Sequence, residues 1–255
     1  MNFEEKIKKL SEYIDKSNNI VFFGGAGVST ESGIPDFRSA GGLYNEQGKK
    51  YNAPPEVMLS RTYFFAHTKE FYEFYKSKML YLDAKPNNAH KVLAKLEEKG
   101  KLKAVITQNI DNLHQQAGSK NVIELHGNVT RNFCIKCHKK FDLAYIAEAV
   151  GVPCCDGCGG IVKPDVVLYE EQLNQDCVNS AIEYMLNADM LIVGGTSLSV
   201  YPAAYYVRYF FSDNKNNKED KKSVIINKSE TDFDYKFDIA IHEDRIGNVL
   251  SRISI

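Results

Sequence analysis

Four short apolar runs constrain this chain more than any other feature, because each stops abruptly at glycine or a polar side chain. Ile20–Phe23 gives way to Gly24-Gly25-Ala26-Gly27, and Ala104–Ile106 to Thr107-Gln108-Asn109. Met190–Val193 leads into Gly194-Gly195-Thr196-Ser197, and Val224–Ile226 into Asn227. A run that is apolar at every position suits a strand covered on both faces, as in a parallel sheet. Helical spacing separates the runs. Phe3, Ile7, Leu10 and Ile14 recur every three or four residues, Val92, Leu93 and Leu96 point inward on a helix over 88–99 that stops at Gly100, and Ala181, Ile182, Met185 and Leu186 mark another. Pro202 is expected to start a further helix, and 237–241 to form a short strand before a helix carrying Ile246, Val249 and Leu250. Alternating strands and helices predict a parallel sheet with helices on both faces.

Ligands of such sheets sit outside the carboxyl ends of the strands, so the residues that terminate the runs are the first candidates for a site. The stretch from Val105 to Gly127 is the most polar of these ends. It places Gln108, Asn109 and Asp111 after one strand, and His126-Gly127 after a second at Val122-Ile123. Amides, a carboxylate and an imidazole together suit a polar ligand and proton transfer near neutral pH. Ile20–Phe23 followed by a glycine turn and a helix start is a layout that lets backbone N–H groups and a helix dipole meet a pyrophosphate. As a dinucleotide fingerprint it is incomplete, since Thr30 stands where a third glycine belongs. The glycine-bearing loop Gly33-Ile34-Pro35-Asp36-Phe37-Arg38, with Gly41 to Tyr44 behind it, has the composition of a loop that closes on a ligand.

Cys134-x2-Cys137 and Cys155-x2-Cys158-Gly159-Gly160 are separated by 17 residues. Two such knuckles fit a closed tetrahedral zinc site that holds structure together and does no chemistry. Cys154 also has an allowed spacing to Cys158, although knuckle geometry favours Cys155. Isolated Cys177 reads as core packing. From 54 to 82 the chain is helical and rich in Phe and Tyr, mostly core. Lys163 to Glu170 reads as an extended strand, and 215–222 as a charged surface loop. A formal charge of -1 gives no global field toward nucleic acid or membrane, and no apolar run reaches membrane-spanning length. The N-terminus lacks a signal-like apolar core, and the paired cysteines suit a reducing compartment, so a cytoplasmic protein is expected.

Gly25-Ala26-Gly27-Val28-Ser29, Gly33 to Arg38, Thr107-Gln108-Asn109-Ile110-Asp111, His126-Gly127, the cysteine knuckles, Lys163-Pro164-Asp165-Val166-Val167 and Gly195-Thr196-Ser197 occur here in one order. Jointly, and along essentially the whole chain, they resemble the sirtuins, NAD-dependent protein-lysine deacylases. The resemblance implies an α/β fold: a Rossmann-like parallel sheet built from 1–35, 86–127 and 163–255, plus a small domain made of a helical cofactor-loop insertion (36–85) and a zinc ribbon (128–162). It implies NAD as co-substrate, structural Zn2+ on Cys134, Cys137, Cys155 and Cys158, and acylated-lysine proteins or peptides as substrates, with nicotinamide, O-acyl-ADP-ribose and free lysine as products.

By the same resemblance Gly25, Ala26, Gly27, Thr30, Asp36, Phe37 and Arg38 contact NAD from the cofactor loop, and Gln108, Ile110 and Asp111 enclose its nicotinamide end. Asn109 holds the nicotinamide ribose or its attacking water. Gly195, Thr196, Ser197 and Asn227 meet the adenosine half, and Ile246 the adenine. His126 is the general base on a ribose hydroxyl. Val166 and Val167 pair with the substrate as a strand. ADP-ribosyl transfer or NAD hydrolysis at the same site, and NAD sensing without catalysis, are the alternatives. Two departures bear on specificity: Glu170 replaces a glycine beside the peptide cleft, and Tyr72 and Tyr75 best match the positions at which succinyl-directed sirtuins carry Tyr and Arg, with Tyr75 and Lys78 a poorer alternative register. The absence of that guanidinium predicts a preference for neutral acyl groups.

Overall fold

The computed structural model describes residues 1–37, 42, 53–212 and 221–254. Arg38, Gly41, Leu43 and Tyr44, and most of the expected loop over 215–222, lie outside the described residues; Lys222 opens a strand.

Among the described residues nine strands form two sheets: β1 Ile20–Gly24, β2 Leu102–Thr107, β3 Val122–Glu124, β4 Gly127–Cys134, β5 Lys140–Phe141, β6 Val162–Val166, β7 Met190–Gly194, β8 Lys222–Ile226 and β9 Ile239–Ile241. The helices are α1 Phe3–Lys16, α2 Pro55–Met58, α3 Arg61–Ala66, α4 Thr68–Lys78, α5 Asn88–Glu98, α6 Leu113–Gln116, α7 Leu143–Glu148, α8 Gln175–Asn187, α9 Arg208–Phe211 and α10 Ile246–Ser251. The larger sheet runs β3-β2-β1-β7-β8-β9 with every pair parallel. From β1 the chain winds outward to β3, then returns to β7 and winds out the other way. The order therefore reverses between β1 and β7.

All five residues of β1 and of β7 are buried, as their unbroken apolar runs require. Alternate residues serve opposite faces. Phe22, Val105, Ile192 and Val224 join α1, α5 and α10 in one core, while Val21, Phe23, Ile106, Leu191 and Val193 meet α8 and the 203–210 segment in another. Each such side chain contributes about 1.5–3 kcal/mol by leaving water. At the start of α1, the Asn2 side chain accepts from the Glu5 amide and the Glu5 carboxylate accepts from the Asn2 amide, satisfying two amides that the first turn leaves open.

Three local expectations change. Two single 3-10 turns, Ala26–Val28 and Thr30–Ser32, stand where a helix was expected after the first glycine turn. Pro202 opens a 3-10 segment, Ala203–Val207, that becomes helical only at α9. The last strand is two residues shorter than expected, because Phe237 N–H closes a 3-10 turn on Asp234 O instead of joining the sheet.

The smaller sheet is antiparallel, ordered β5-β4-β6, so β6 is an edge strand. The expected boundary at 162/163 falls inside β6, and the extended strand expected to Glu170 ends at Val166. Phe64, Phe71, Tyr72, Phe74 and Tyr75 form one core with Val129, Val162 and Val166 of this sheet. Most of the aromatics expected to be core are so, with Tyr63 half-buried and Phe65 exposed.

The four sulfurs of Cys134, Cys137, Cys155 and Cys158 lie within 4.8 Å of one another. Tetrahedral Zn–S bonds of about 2.3 Å place sulfurs about 3.8 Å apart, and the 3.4 Å Cys134–Cys158 and 3.6 Å Cys137–Cys155 separations come close to this. The donor set therefore fits zinc. Cys154 is outside it: its exposed thiol faces the Val152 carbonyl at 3.5 Å. Cys155→Ser is expected to lose bound zinc and Cys154→Ser to retain one equivalent, measured by atomic absorption after gel filtration. Zinc loss from Cys154→Ser alone would reverse the assignment.

His90 and His114 form a second buried pair, with ring centroids 4.7 Å apart and both side chains fully enclosed. The Asn87 amide donates to His90 Nδ1, while His90 Nε2 and both ring nitrogens of His114 have no partner among the described residues. Burial pushes both imidazoles down from 6.5, to about 4 for His90 and about 3 for His114. Below pH 6.5 the unfolded chain takes up protons that the folded chain refuses, so stability falls as pH drops toward about 4. The loss is up to about 1.4 kcal/mol per pH unit per histidine. His114→Leu should flatten this slope in urea unfolding between pH 7 and 5. An unchanged slope would show that the pair plays no part in acid sensitivity.

Candidate active site

The crevice at the β1/β7 reversal is where an open α/β sheet accepts a ligand. Two glycine turns meet there. Gly25 N–H donates to Gly194 O at 3.1 Å and Gly27 N–H to Gly195 O at 2.8 Å. A Cβ on Gly27 would lie 2.7 Å from Gly195 Cα, and Gly195 itself has φ of +58°. The glycines thus permit backbone to touch backbone, and the N–H groups expected to cradle a pyrophosphate are engaged by the second turn.

The neighbouring strand end is tied into the same crevice. Gln108 N–H donates to Gly24 O at 3.0 Å, and Gln108 Nε2 to Thr196 Oγ1 at 3.2 Å. Asn109 Nδ2 donates to Ser29 Oγ at 3.0 Å, and Ser29 Oγ donates to Asp111 Oδ2 at 2.6 Å. Asp111 Oδ1 accepts the Leu113 amide at 2.9 Å at the start of α6. Burial raises the Asp111 carboxyl above its ordinary range, opposed by the Ser29 and Leu113 hydrogen bonds. Ser29, buried at 1% exposure, joins Asn109 to Asp111 and was absent from the candidate residues. Its only sequence signal was its place at the end of the Gly25–Ser29 motif.

His126 follows β3, and its Nδ1 lies 2.9 Å from the Gln108 carbonyl. A carbonyl only accepts, so Nδ1 carries the proton in the neutral ring and Nε2 keeps its lone pair for a substrate proton. Burial pushes this imidazole below 6.5, with the Gln108 bond pulling the other way. Gly127, at φ +78°, lets the chain turn against β6: a Cβ there would stand 2.0 Å from the Asp165 carbonyl. Val167 N–H donates to His126 O at 2.9 Å, which places the exit of β6 beside the imidazole's own backbone.

Other candidates are more dispersed. Thr30 Oγ1 donates to Gly27 O, Phe37 and Ile110 pack against the third core, and Ala26 and Asp36 are half-buried. Ser197 is exposed, with its hydroxyl 2.6 Å from that of Ser199. Asn227 Nδ2 donates to Ser229 O at 2.7 Å, and His242 Nδ1 lies 2.6 Å from its carbonyl. Ile246 is buried at 4% over Gly194, so its side chain belongs to the first core. Val166 is buried and Val167 half-buried at the end of edge strand β6.

Beyond β6 the chain docks on the helical segment. Tyr169 N–H donates to Leu59 O, and Arg61 N–H to Tyr169 O, both at 3.0 Å. Glu170 then adopts φ of +76°, which costs a non-glycine residue roughly 1–2 kcal/mol. Its Oε2 accepts the Thr62 amide at 2.9 Å and the Thr62 hydroxyl at 2.6 Å. These bonds hold the carboxyl below its ordinary range.

A model of the Sir2 family matches residues 25–202. Proteins named NAD-dependent protein deacetylase from Clostridium tetani and Clostridium perfringens are 60% and 56% identical to this chain; the alignments cover 96% and 98% of it, and 96% and 99% of those proteins. A solved Sir2 structure with a p53 peptide and NAD+ superposes with a TM-score of 0.82 at 40% identity, and one bound to an acetylated peptide with 0.83 at 39%; each alignment covers 96% of both chains. With a matching family model over most of its length and relatives more than half identical end to end, the chain belongs to the Sir2 family.

Proposed function

We propose that this protein is an NAD-dependent protein-lysine deacetylase that releases nicotinamide, O-acyl-ADP-ribose and free lysine. The carrying observation is His126, an imidazole held through Nδ1 by the Gln108 carbonyl, at the strand ends where the β1/β7 crevice opens and beside edge strand β6. Full-length relatives named for this activity support it, as do neighbours with peptide and NAD+. NAD, when bound, supplies an electrophilic ribose carbon and a leaving nicotinamide.

In this reading Gly25, Ala26, Gly27, Thr30, Asp36, Phe37 and Arg38 hold NAD, and Gln108, Ile110 and Asp111 enclose its nicotinamide end. Asn109, its amide oriented by Ser29, fixes the adjoining ribose or a water. Gly195, Thr196, Ser197 and Asn227 receive the adenosine half, with Ile246 beneath it. His126 Nε2 takes a proton from a ribose hydroxyl. The acyl-lysine peptide adds to the free edge of β6 at Val166 and Val167. We divide the chain into the large and small units read from the sequence, and assign β6 to the small one because it pairs with β4. Cys134, Cys137, Cys155 and Cys158 would hold a structural zinc and, through it, the loops of the small sheet. No described helix is long and apolar enough to cross a membrane. The cytoplasm is the compartment we assign, since four thiols arranged as metal ligands suit a reducing environment.

The deciding experiment follows nicotinamide release with and without an acetyl-lysine peptide. Release matching deacetylated product one for one supports the assignment; equal release without peptide would replace it with NAD hydrolysis or ADP-ribosyl transfer. The base must be neutral to act, and its folded pKa is depressed, so activity should persist below pH 6.5 and fall only as pH drops further. His126→Ala should lower kcat/KM by about 10²–10⁴-fold with zinc content unchanged. An acid limb centred above pH 6.5 in the wild type would contradict the geometry.

Acyl preference follows from Tyr72 and Tyr75. Both are fully buried, and the Tyr72 hydroxyl donates to the Val162 carbonyl. Neither position supplies a cation, so succinyl-lysine peptide should turn over about tenfold or more slower than acetyl-lysine peptide. Equal rates would refute this.

A further inference from the structure

Glu170 keeps a left-handed backbone that glycine would adopt without strain, and its side chain is fastened by two hydrogen bonds from Thr62. An unfavourable conformation retained by a specific tether points to a use for that side chain. Both bonds fall on Oε2, so the carboxylate keeps a second oxygen for a partner. Glu170 also borders a groove of about 430 Å³ whose walls include Glu56, Thr62, Tyr63, His67 and Tyr169, a size within the ~300–1,000 Å³ of small-ligand clefts. Arg61 is the nearby opposing charge, and its guanidinium lies over the Phe65 ring at 5.1 Å. Among the described residues the groove's walls carry the carboxylates of Glu56 and Glu170, with the rings of Tyr63 and Tyr169 beside them.

The chain leads from the peptide edge to the groove within four residues. Tyr169 and Glu170 come three and four residues after Val166, and Tyr169 pairs with Ser60 on the groove wall. A peptide laid along β6 to bring its lysine to His126 therefore has neighbouring residues within reach of it.

We propose that Glu170 is a specificity-determining residue: with Glu56 it selects acyl-lysine substrates that carry a second basic side chain, lysine or arginine, a few positions from the reacting lysine. The aliphatic stem of that side chain would lie along Tyr63 and Tyr169 and its cationic head would meet the carboxylates. This rests on the deacetylase reading above.

The test uses the full-length zinc-loaded protein with NAD and acetyl-lysine peptides in which arginine, glutamine or glutamate is walked through the flanking positions. At one position or two adjacent ones, arginine should raise kcat/KM over glutamate by about 5–10-fold at low salt, through KM, and less at high salt. Glu170→Gln, which can still accept the Thr62 bonds, should reduce that ratio to about twofold or less, and Glu170→Asp should restore part of it. A general loss of fold would lower every peptide together and leave the ratio intact. Equal kcat/KM for arginine and glutamate peptides at all positions, or a preference untouched by Glu170→Gln, overturns the proposal. Fluorescence anisotropy of the same peptides separates it from the reaction assignment: binding that favours arginine without turnover supports the groove and defeats the deacetylase reading.

Discussion

Backbone contact between two glycine turns organises this molecule. Gly25 and Gly27 hand their N–H groups to the carbonyls of Gly194 and Gly195, which closes the switch point of the parallel sheet and fixes the relative height of β1 and β7. Gln108 is then tied to both turns, through Gly24 O and Thr196 Oγ1. Its own carbonyl holds the His126 ring. The orientation of the imidazole, and with it the choice of Nε2 as the basic atom, therefore descends by hydrogen bonds from the contact of two turns.

Around that centre the structure separates rigidity from adaptability. Strands β1 and β7 are buried throughout, and the residues that follow them inherit positions set by packing on both faces of the sheet. The small antiparallel sheet is held differently. It has the aromatic cluster of α3 and α4 on one side and the four-thiol knot at its loops. It presents β6 as an open edge, the feature an extended peptide requires. Asp111 shows how the two parts meet: its carboxylate lies between Ser29 from the first turn and the start of α6, and the adjacent Ile110 carbonyl accepts from Val129 in β4.

Much of this was legible in the linear chain. Continuous apolar runs marked the buried strands because a strand covered on both faces has no polar positions. Their abrupt ends marked the crevice, since polar groups there can reach solvent and ligand. Cysteine spacing identified a metal knot because two-residue loops have few ways to present paired thiolates. The imidazole, amides and carboxylate at 108–126 were visible as a composition. Local propensity carried less weight: a strand and glycine turn suggested a helix start, yet close approach to Gly195 leaves room only for tight turns.

By itself, then, the sequence determined the main elements, the parallel sheet, the clustered thiols and which strand ends carry polar side chains, because these depend on residue type and near-neighbour spacing. Tertiary structure alone decided which groups meet. It linked Ser29 to Asp111 across 82 residues, turned Cys154 away from the thiol cluster, paired β6 with β4, and packed Ile246 against Gly194. It also set Glu170 in a left-handed turn fastened to Thr62. Partners that far apart in sequence are chosen by packing geometry, which no local pattern of residues encodes.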